Sequence, residues 1–176
     1  IGILFEKPDA MRDGMKAFGG SQGTFNGENF VMVASVGHIY GYDTDMTKQV
    51  PAHLKDKYKS WDLANLPWEW RDLIWKRTCT KPDVAKRLKA TLSKCDEIVI
   101  ATDYDVTGEG GLIAGEILIE LGLTHKKISR MIFFDEAPTT LQKAFINRKP
   151  ISSIETFDEY VQAETRARTD FLTMQW

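Results

Sequence analysis

A chain of 176 residues, 43% hydrophobic and 27% charged, is too apolar to be disordered and long enough for the core of one domain. Its net charge of −2 gives no global sign of a nucleic-acid binder, and two cysteines, Cys79 and Cys95, exclude a disulfide framework and a self-contained zinc site. A reducing, cytoplasmic location is expected, and no signal peptide or membrane-length apolar run is present. The chain begins at Ile1 rather than methionine and ends at Trp176 within an amphipathic run, as a fragment of a longer protein would.

Residues 1–5 read as a first strand, closed by Glu6-Lys-Pro-Asp9. Pro8 or Asp9 opens a helix to about Phe18, with Gly19 and Gly20 as its stop. Residues 20–29 are polar and glycine-rich and read as a loop. A second strand over 30–35 runs into the glycine turn Ser35-Val-Gly-His38. A lone histidine is usually structural, but one at such a strand end can contact phosphate. Residues 43–60 are polar, with a helix expected around His53–Trp61. Four of the five tryptophans lie between 61 and 75. They can stack on unpaired bases, though packing against the sheet is the commoner use and the one expected for most of them.

A helix over 82–95, with Val84, Leu88 and Leu92 inward, leads into Ile98–Ala101, an apolar β-branched run typical of a strand covered on both faces. A helix from Glu109 to about Gly122 follows, then a fourth strand over 128–134 and a helix around 140–147. The last amphipathic segment, about 157–174, carries Arg166 and Asp170 at a spacing that lets them pair. This alternation predicts an α/β fold with a mainly parallel four-stranded sheet and helices on both faces, formed by residues 1–156, with 157–176 a helix leading out of the domain.

The chemistry concentrates where the 98–101 strand turns into a helix. Asp103 and Asp105 leave the carboxyl end of that strand together, Gly108 allows a tight turn, and Glu109 opens the helix. Ligands of open α/β sheets bind beyond the carboxyl ends of strands. Clustered carboxylates there suit a hard cation such as Mg2+. The plainer roles are turn formation for the aspartates and a first-turn acid for Glu109. The plainer role is preferred for Glu109 alone; for the aspartates it is not, since their mutual repulsion is relieved by a counter-ion. Glu6, at another strand end, would face them if the two strands are neighbours.

Charge distribution adds to this picture. Residues 71–94 hold Arg71, Lys76, Arg77, Lys81, Lys86, Arg87, Lys89 and Lys94 against Asp72 and Asp83, whereas residues 96–124 hold seven acids and no Lys or Arg. A phosphodiester enzyme would use the bases on a backbone and the acids on a metal. On charge alone, a solvated helix face is the preferred account of the bases.

Three motifs compete for the acidic stretch. A dinucleotide loop would need glycine where Ile113 stands, and the acids precede the turn, so this reading fails. An apolar strand followed by Asp-x-Asp-x-Thr resembles the first motif of haloacid-dehalogenase-type phosphatases. The same Asp-x-Asp is similar to that of the Toprim domain of topoisomerases, bacterial primases and some nucleases. The phosphatase pattern needs a Ser or Thr ending the next strand, and here that strand ends Phe133-Phe-Asp-Glu136.

The whole chain resembles the N-terminal part of type IA DNA topoisomerases, in particular the topoisomerase III branch. Ile3-Leu-Phe-Glu-Lys-Pro8 is similar to the family's opening strand, Ser35-Val-Gly-His38 to its Gly-His turn, and Trp61-Asp-Leu-Ala-Asn-Leu-Pro67 to its Trp and Leu-Pro segment. Ala101-Thr-Asp-Tyr-Asp-Val-Thr-Gly108 falls on its Asp-Pro-Asp-Arg-Glu-Gly signature, and Thr165-Arg-Ala-Arg-Thr-Asp-Phe-Leu172 on the segment leading out of its Toprim domain. The resemblance implies ATP-independent cleavage and resealing of one DNA strand by a tyrosine, acting on single-stranded or negatively supercoiled DNA at the nucleoid, with Mg2+ as cofactor. It implies that Glu6 assists proton transfer and that Lys7 contacts phosphate. Asp103 and Asp105 would be the metal ligands, with either Glu109 taking over the third carboxylate role or metal binding weakened, and His38, Arg166, Arg168 and Asp170 would lie at the edge of the DNA site. Val106 and Thr107 stand where the family has an arginine and a third acid. No tyrosine here matches the family's nucleophile, so the remaining topoisomerase domains are implied partners and this chain alone should not relax DNA. A stand-alone Toprim nuclease is the rival reading.

Overall fold

The computed structural model describes residues 1–59 and 68–173. Its strands are β1 (Gly2–Phe5), β2 (Gln22–Phe25), β3 (Glu28–Ala34), β4 (Tyr40–Tyr42), β5 (Arg77–Cys79), β6 (Glu97–Ala101), β7 (Lys127–Arg130) and β8 (Lys149–Ile151). Its helices are α1 (Pro8–Phe18), α2 (Met46–Gln49), α3 (Lys55–Tyr58), α4 (Pro82–Leu92), α5 (Glu109–Glu120), α6 (Pro138–Ile146) and α7 (Asp158–Thr173). The main sheet has the order β2-β3-β1-β6-β7-β8, and β4 pairs with β5 in a separate ribbon.

The four central strands are parallel, as the buried apolar runs predict. Alternate residues point to opposite faces. Leu4, Val33, Ile98 and Ile100 pack under α4, α5 and α7. Ile3, Phe5, Val99 and Ala101 pack under α1 and α6 with Phe18, Phe30 and Phe145. Each such large side chain, fully withdrawn from water, contributes about 1.5–3 kcal/mol.

The sheet is wider than the four strands expected, because antiparallel β2 and β8 pair on its two edges. The stretch over 20–29 is therefore a hairpin, turning at Asn26 and Gly27, both with positive φ. β2 is largely exposed and β8 is a short run containing Pro150, so neither carries the apolar signal of a buried strand. The helix expected around 53–61 is a 3-10 turn over Ala52–Leu54 followed by α3. Trp61 and the Leu-Pro segment lie outside the described residues. Trp68 and Trp75 pack with Tyr42 and Phe171, the structural use expected of them. Among the described residues no helix is long and apolar enough to cross a membrane.

At the amino end of β6, Glu97 is buried. Burial pushes its carboxyl up, but Arg148, Ser129 and Lys127 bond it and together hold it below the ordinary glutamate value. At the carboxyl end, α5 is covered by α7, and contact is close enough that a Cβ on Gly115 would lie 2.3 Å from the Tyr160 ring. Gly115→Ala should therefore overpack this contact and lower stability by about 1–3 kcal/mol, measured by urea denaturation.

Candidate functional site at the strand ends

The register brings the candidate groups together. Phe5 is level with Ala101 of β6 and with Ala34 of β3, so Glu6, Thr102 and Ser35 leave the sheet side by side. β1 continues to β3 on one side, whereas β6 continues to β7 on the other. The crevice between β1 and β6 is thus the topological switch point, where α/β sheets bind ligands.

Glu6 lies in that crevice, 6% exposed. Burial, a hydrogen bond to Asp103 and the charge of Asp103 raise its pKa to about 7, with Lys7 opposing and Asp105 adding to the rise. When protonated, the Glu6 carboxyl can donate to the Asp103 side chain. Lys7 keeps its ammonium 3.8 Å from Glu6 Oε2 and largely in water. A second carboxyl pair adjoins the first. Glu136 is raised to about 7 by a hydrogen bond to Asp13, by burial, and by the charges of Asp13 and Asp103. Sequence reading assigned no role to Asp13 or Glu136, because helix α1 and the loop after β7 meet only in the fold.

Asp105 is bonded within its own loop. Its carboxylate accepts from the hydroxyl and backbone N–H of Thr107, which hold it below the usual aspartate value despite slight burial, with Gly108 N–H and Arg130 helping. Thr107, standing where the resembling family has an acid, thus caps Asp105 in the turn-forming role considered for it. The glycines follow from crowding: a Cβ on Gly110 would come within 1.9 Å of the Asp103 carbonyl, and Gly108 adopts φ 72° against Glu159.

Arg130 holds this loop from below. It is 2% exposed. Its guanidinium donates to the carbonyls of Ile100, Thr102 and Asp103, and forks onto both oxygens of Glu159 at 2.8 and 3.0 Å. In the sequence it is a lone basic residue inside the apolar run expected as the fourth strand, and it was assigned no role.

His38 and Glu109 form a neighbouring group. His38 Nε2 lies 2.8 Å from Glu109 Oε2 and Nδ1 lies 3.4 Å from Glu116 Oε2. The Glu116 bond raises its pKa to about 9 against the opposing effect of burial, with Glu109 assisting. Glu109 is thereby engaged by His38. Arg166 and Asp170 line the same open cleft of ≈ 310 Å³ as His38 and Glu109. They do not pair as their spacing predicts; the ion pair on α7 is Arg168 with Glu164 at 2.9 Å. Arg168 also lies over the Trp75 ring. Of the basic run, Arg77 is nearly buried against Glu120 and Glu164, while Lys86 and Lys89 face solvent on α4, which fits the solvated helix face.

Among the described residues no three His, Cys, Asp or Glu side chains form a metal cage. Two carboxyls in hydrogen-bond contact are nevertheless a donor set of the kind Mg2+ takes, since it fills most of its shell with water.

Two outcomes test this geometry. Because His38 ionises near 9 when folded and near 6.5 when unfolded, its contribution to stability is full below about pH 6.5 and is lost as pH rises through about 9. His38→Gln should flatten that part of the stability-versus-pH curve. Arg130→Ala should destabilise by about 3–5 kcal/mol, because it leaves Glu159 and the loop carbonyls unpaired, and Arg130→Lys should recover only part of this in urea denaturation.

The Toprim domain family matches residues 3–135, a span that contains Glu6 and the Asp-x-Asp stretch and decides against the phosphatase reading. DNA topoisomerase 1 of Alkalihalophilus pseudofirmus is 31% identical over 97% of this chain and 24% of its own length. DNA topoisomerase 3 of Shouchella clausii is 27% identical over 96% of this chain and 22% of its own. The structure of full-length topoisomerase I from Thermotoga maritima covers 86% of this chain and 21% of its own, with a TM-score of 0.56 at 21% identity, a likeness of fold. The chain spans about a quarter of the length of these curated relatives. On the matched span, the switch-point acids and the sheet that carries them, the chain belongs to the Toprim domain family and is related to DNA topoisomerases 1 and 3.

Proposed function

We propose that this chain is the Toprim part of a type IA DNA topoisomerase, contributing to single-strand cleavage and religation by a tyrosine in another domain. The observation that carries the reading is the contact of Glu6 with Asp103 at the switch point. It supports a carboxyl that can hold or release a proton near neutral pH, beside the aspartates at the strand end. On this reading residues 1–156 are the domain proper, and 157–176 lead towards the remaining topoisomerase domains, without which the chain does not relax DNA.

Asp103 would hold Mg2+, with Asp105 as the second carboxylate of the Asp-x-Asp pair. The ion supplies positive charge that neutralises the crowded acids and the phosphate brought to them. Glu6 holds a proton that it can give to the sugar oxygen leaving the phosphate and recover on resealing. Lys7, largely exposed beside Glu6, offers its ammonium to a phosphate oxygen. His38 and Arg166 present positive charge along the adjoining cleft, where the DNA backbone would run. Arg168, stacked and ion-paired, supports that edge. Such a protein works in the cytoplasm, at the nucleoid.

The test is relaxation of negatively supercoiled plasmid by the full-length native protein with Mg2+. We expect topoisomers changing in single steps, lost or strongly slowed in Asp103→Asn, Asp105→Asn, and slowed about a hundredfold or more in Glu6→Gln. Nicked or linear products without resealed topoisomers would replace this reading with a Toprim nuclease. Relaxation unaffected by these substitutions would remove the acids from the mechanism.

A further inference from the structure

Phe134 is 83% exposed, although it directly follows the buried Phe133. Leaving a ring of this size in water forgoes most of its burial energy, so folding does not explain its position. It is not alone. Its ring meets Tyr104 edge to face, with centroids 5.5 Å apart, and the Arg130 guanidinium lies 5.6 Å from the Tyr104 centroid. Tyr104 is the residue between Asp103 and Asp105, so the aromatic pair borders the acidic crevice.

The surface beside this pair is a trough. One cleft of ≈ 330 Å³ is lined by Tyr104, Arg130 and Lys149, and also by Asp158 and the Arg130-paired Glu159. A second of ≈ 390 Å³ is lined by Phe134, Lys143, Asn147 and Lys149. Ile132 and Lys149 line both, so the two clefts adjoin. Lys143 and Lys149 are exposed and make no ion pair among the described residues. Their ammonium groups are the positive counterpart to the acids across the Asp103 loop.

An exposed ring, two unpaired ammonium groups and an amide in one trough match the parts of an unpaired nucleotide: a flat apolar face, a backbone phosphate and a polar base edge. In a duplex the base faces are already stacked, so this surface selects a single strand. We propose that Tyr104 and Phe134 form a stacking platform for an unpaired base of single-stranded DNA, whose phosphates are held by Lys143 and Lys149. The proposal rests on the reading of the chain as part of a DNA-acting enzyme, and it gives the strand a path away from the metal-binding acids.

The test is equilibrium binding of a short fluorescein-labelled oligodeoxythymidine to the full 176-residue chain in buffer with EDTA, by fluorescence anisotropy over a range of salt. Phe134→Ala should weaken binding about five- to a hundredfold and leave the salt slope unchanged, while Phe134→Trp retains the affinity. Lys143→Ala and Lys149→Ala should each reduce the salt slope by about 0.7. A duplex of the same length should not respond to Phe134→Ala. Equal weakening of duplex and single strand, or no response of the oligomer to Phe134→Ala, would overturn the platform. So would a Phe134→Ala effect confined to the melting temperature of the full-length native protein, which would assign the ring to packing against another domain. Since binding is read without Mg2+, its failure leaves the metal-dependent cleavage reading standing, and loss of plasmid relaxation in the acid variants leaves the platform standing.

Discussion

The backbone register of β1 with its two parallel neighbours is the constraint on which the candidate site depends. Phe5 is level with both Ala101 and Ala34, so three chains reach the end of the sheet at one height. Glu6, the Asp103 loop and the turn before His38 then occupy the same edge. A slip of one residue would move a strand by about 3.3 Å and turn its core-facing side chains to the opposite face. Burial of both faces of β1 and β6 opposes that slip. The hydrophobic core thus sets the position of the carboxyls with a precision that no interaction among those carboxyls could supply.

Held at this edge, the acids are under electrostatic stress. Glu6 and Glu136 are both driven towards neutral pH by carboxylate neighbours and by burial. The buried cation nearest the loop, Arg130, is committed to carbonyls and to Glu159, so it fixes the loop's path without quenching the crevice. This division of labour also bears on Val106 and Thr107. Val106 projects almost wholly into solvent, and Thr107 caps Asp105. The loop therefore lacks its own cation and third acid, and its shape comes from local hydrogen bonds and from Arg130. Glu109 is drawn instead to His38, where it stabilises an imidazolium in the adjoining cleft.

The two rims of the crevice differ in chemistry. On one, His38, Glu109, Arg166 and Asp170 form a polar cleft of mixed charge. On the other, Tyr104 and Phe134 adjoin a trough with unpaired lysines. The switch-point loop is thus flanked by a polar cleft of mixed charge and by an aromatic surface with exposed lysines.

Much of this architecture was legible from sequence, and the reasons for success and failure are physical. The four parallel strands carry unbroken apolar runs because both faces are buried, so they were readable. β2 and β8 were not, because short edge strands in water carry no such run. Glu6 and the Asp-x-Asp were found because strand ends are visible in a sequence, and their proximity needed only that the strands be neighbours. What remained hidden depends on contacts between distant segments. The Arg130–Glu159 fork, the Glu136–Asp13 pair and the Tyr104–Phe134 contact each join residues about 29 or more apart, or on separate elements. The choice of Arg168 over Arg166 as the partnered arginine was decided by Glu164, one turn earlier on α7. The sequence by itself determined which residues could carry charge, form strands and end them, because those are local properties. Only the tertiary structure decided which carboxyls meet, which arginine is buried and which aromatic is left in water, because these follow from packing between elements that the sequence keeps apart.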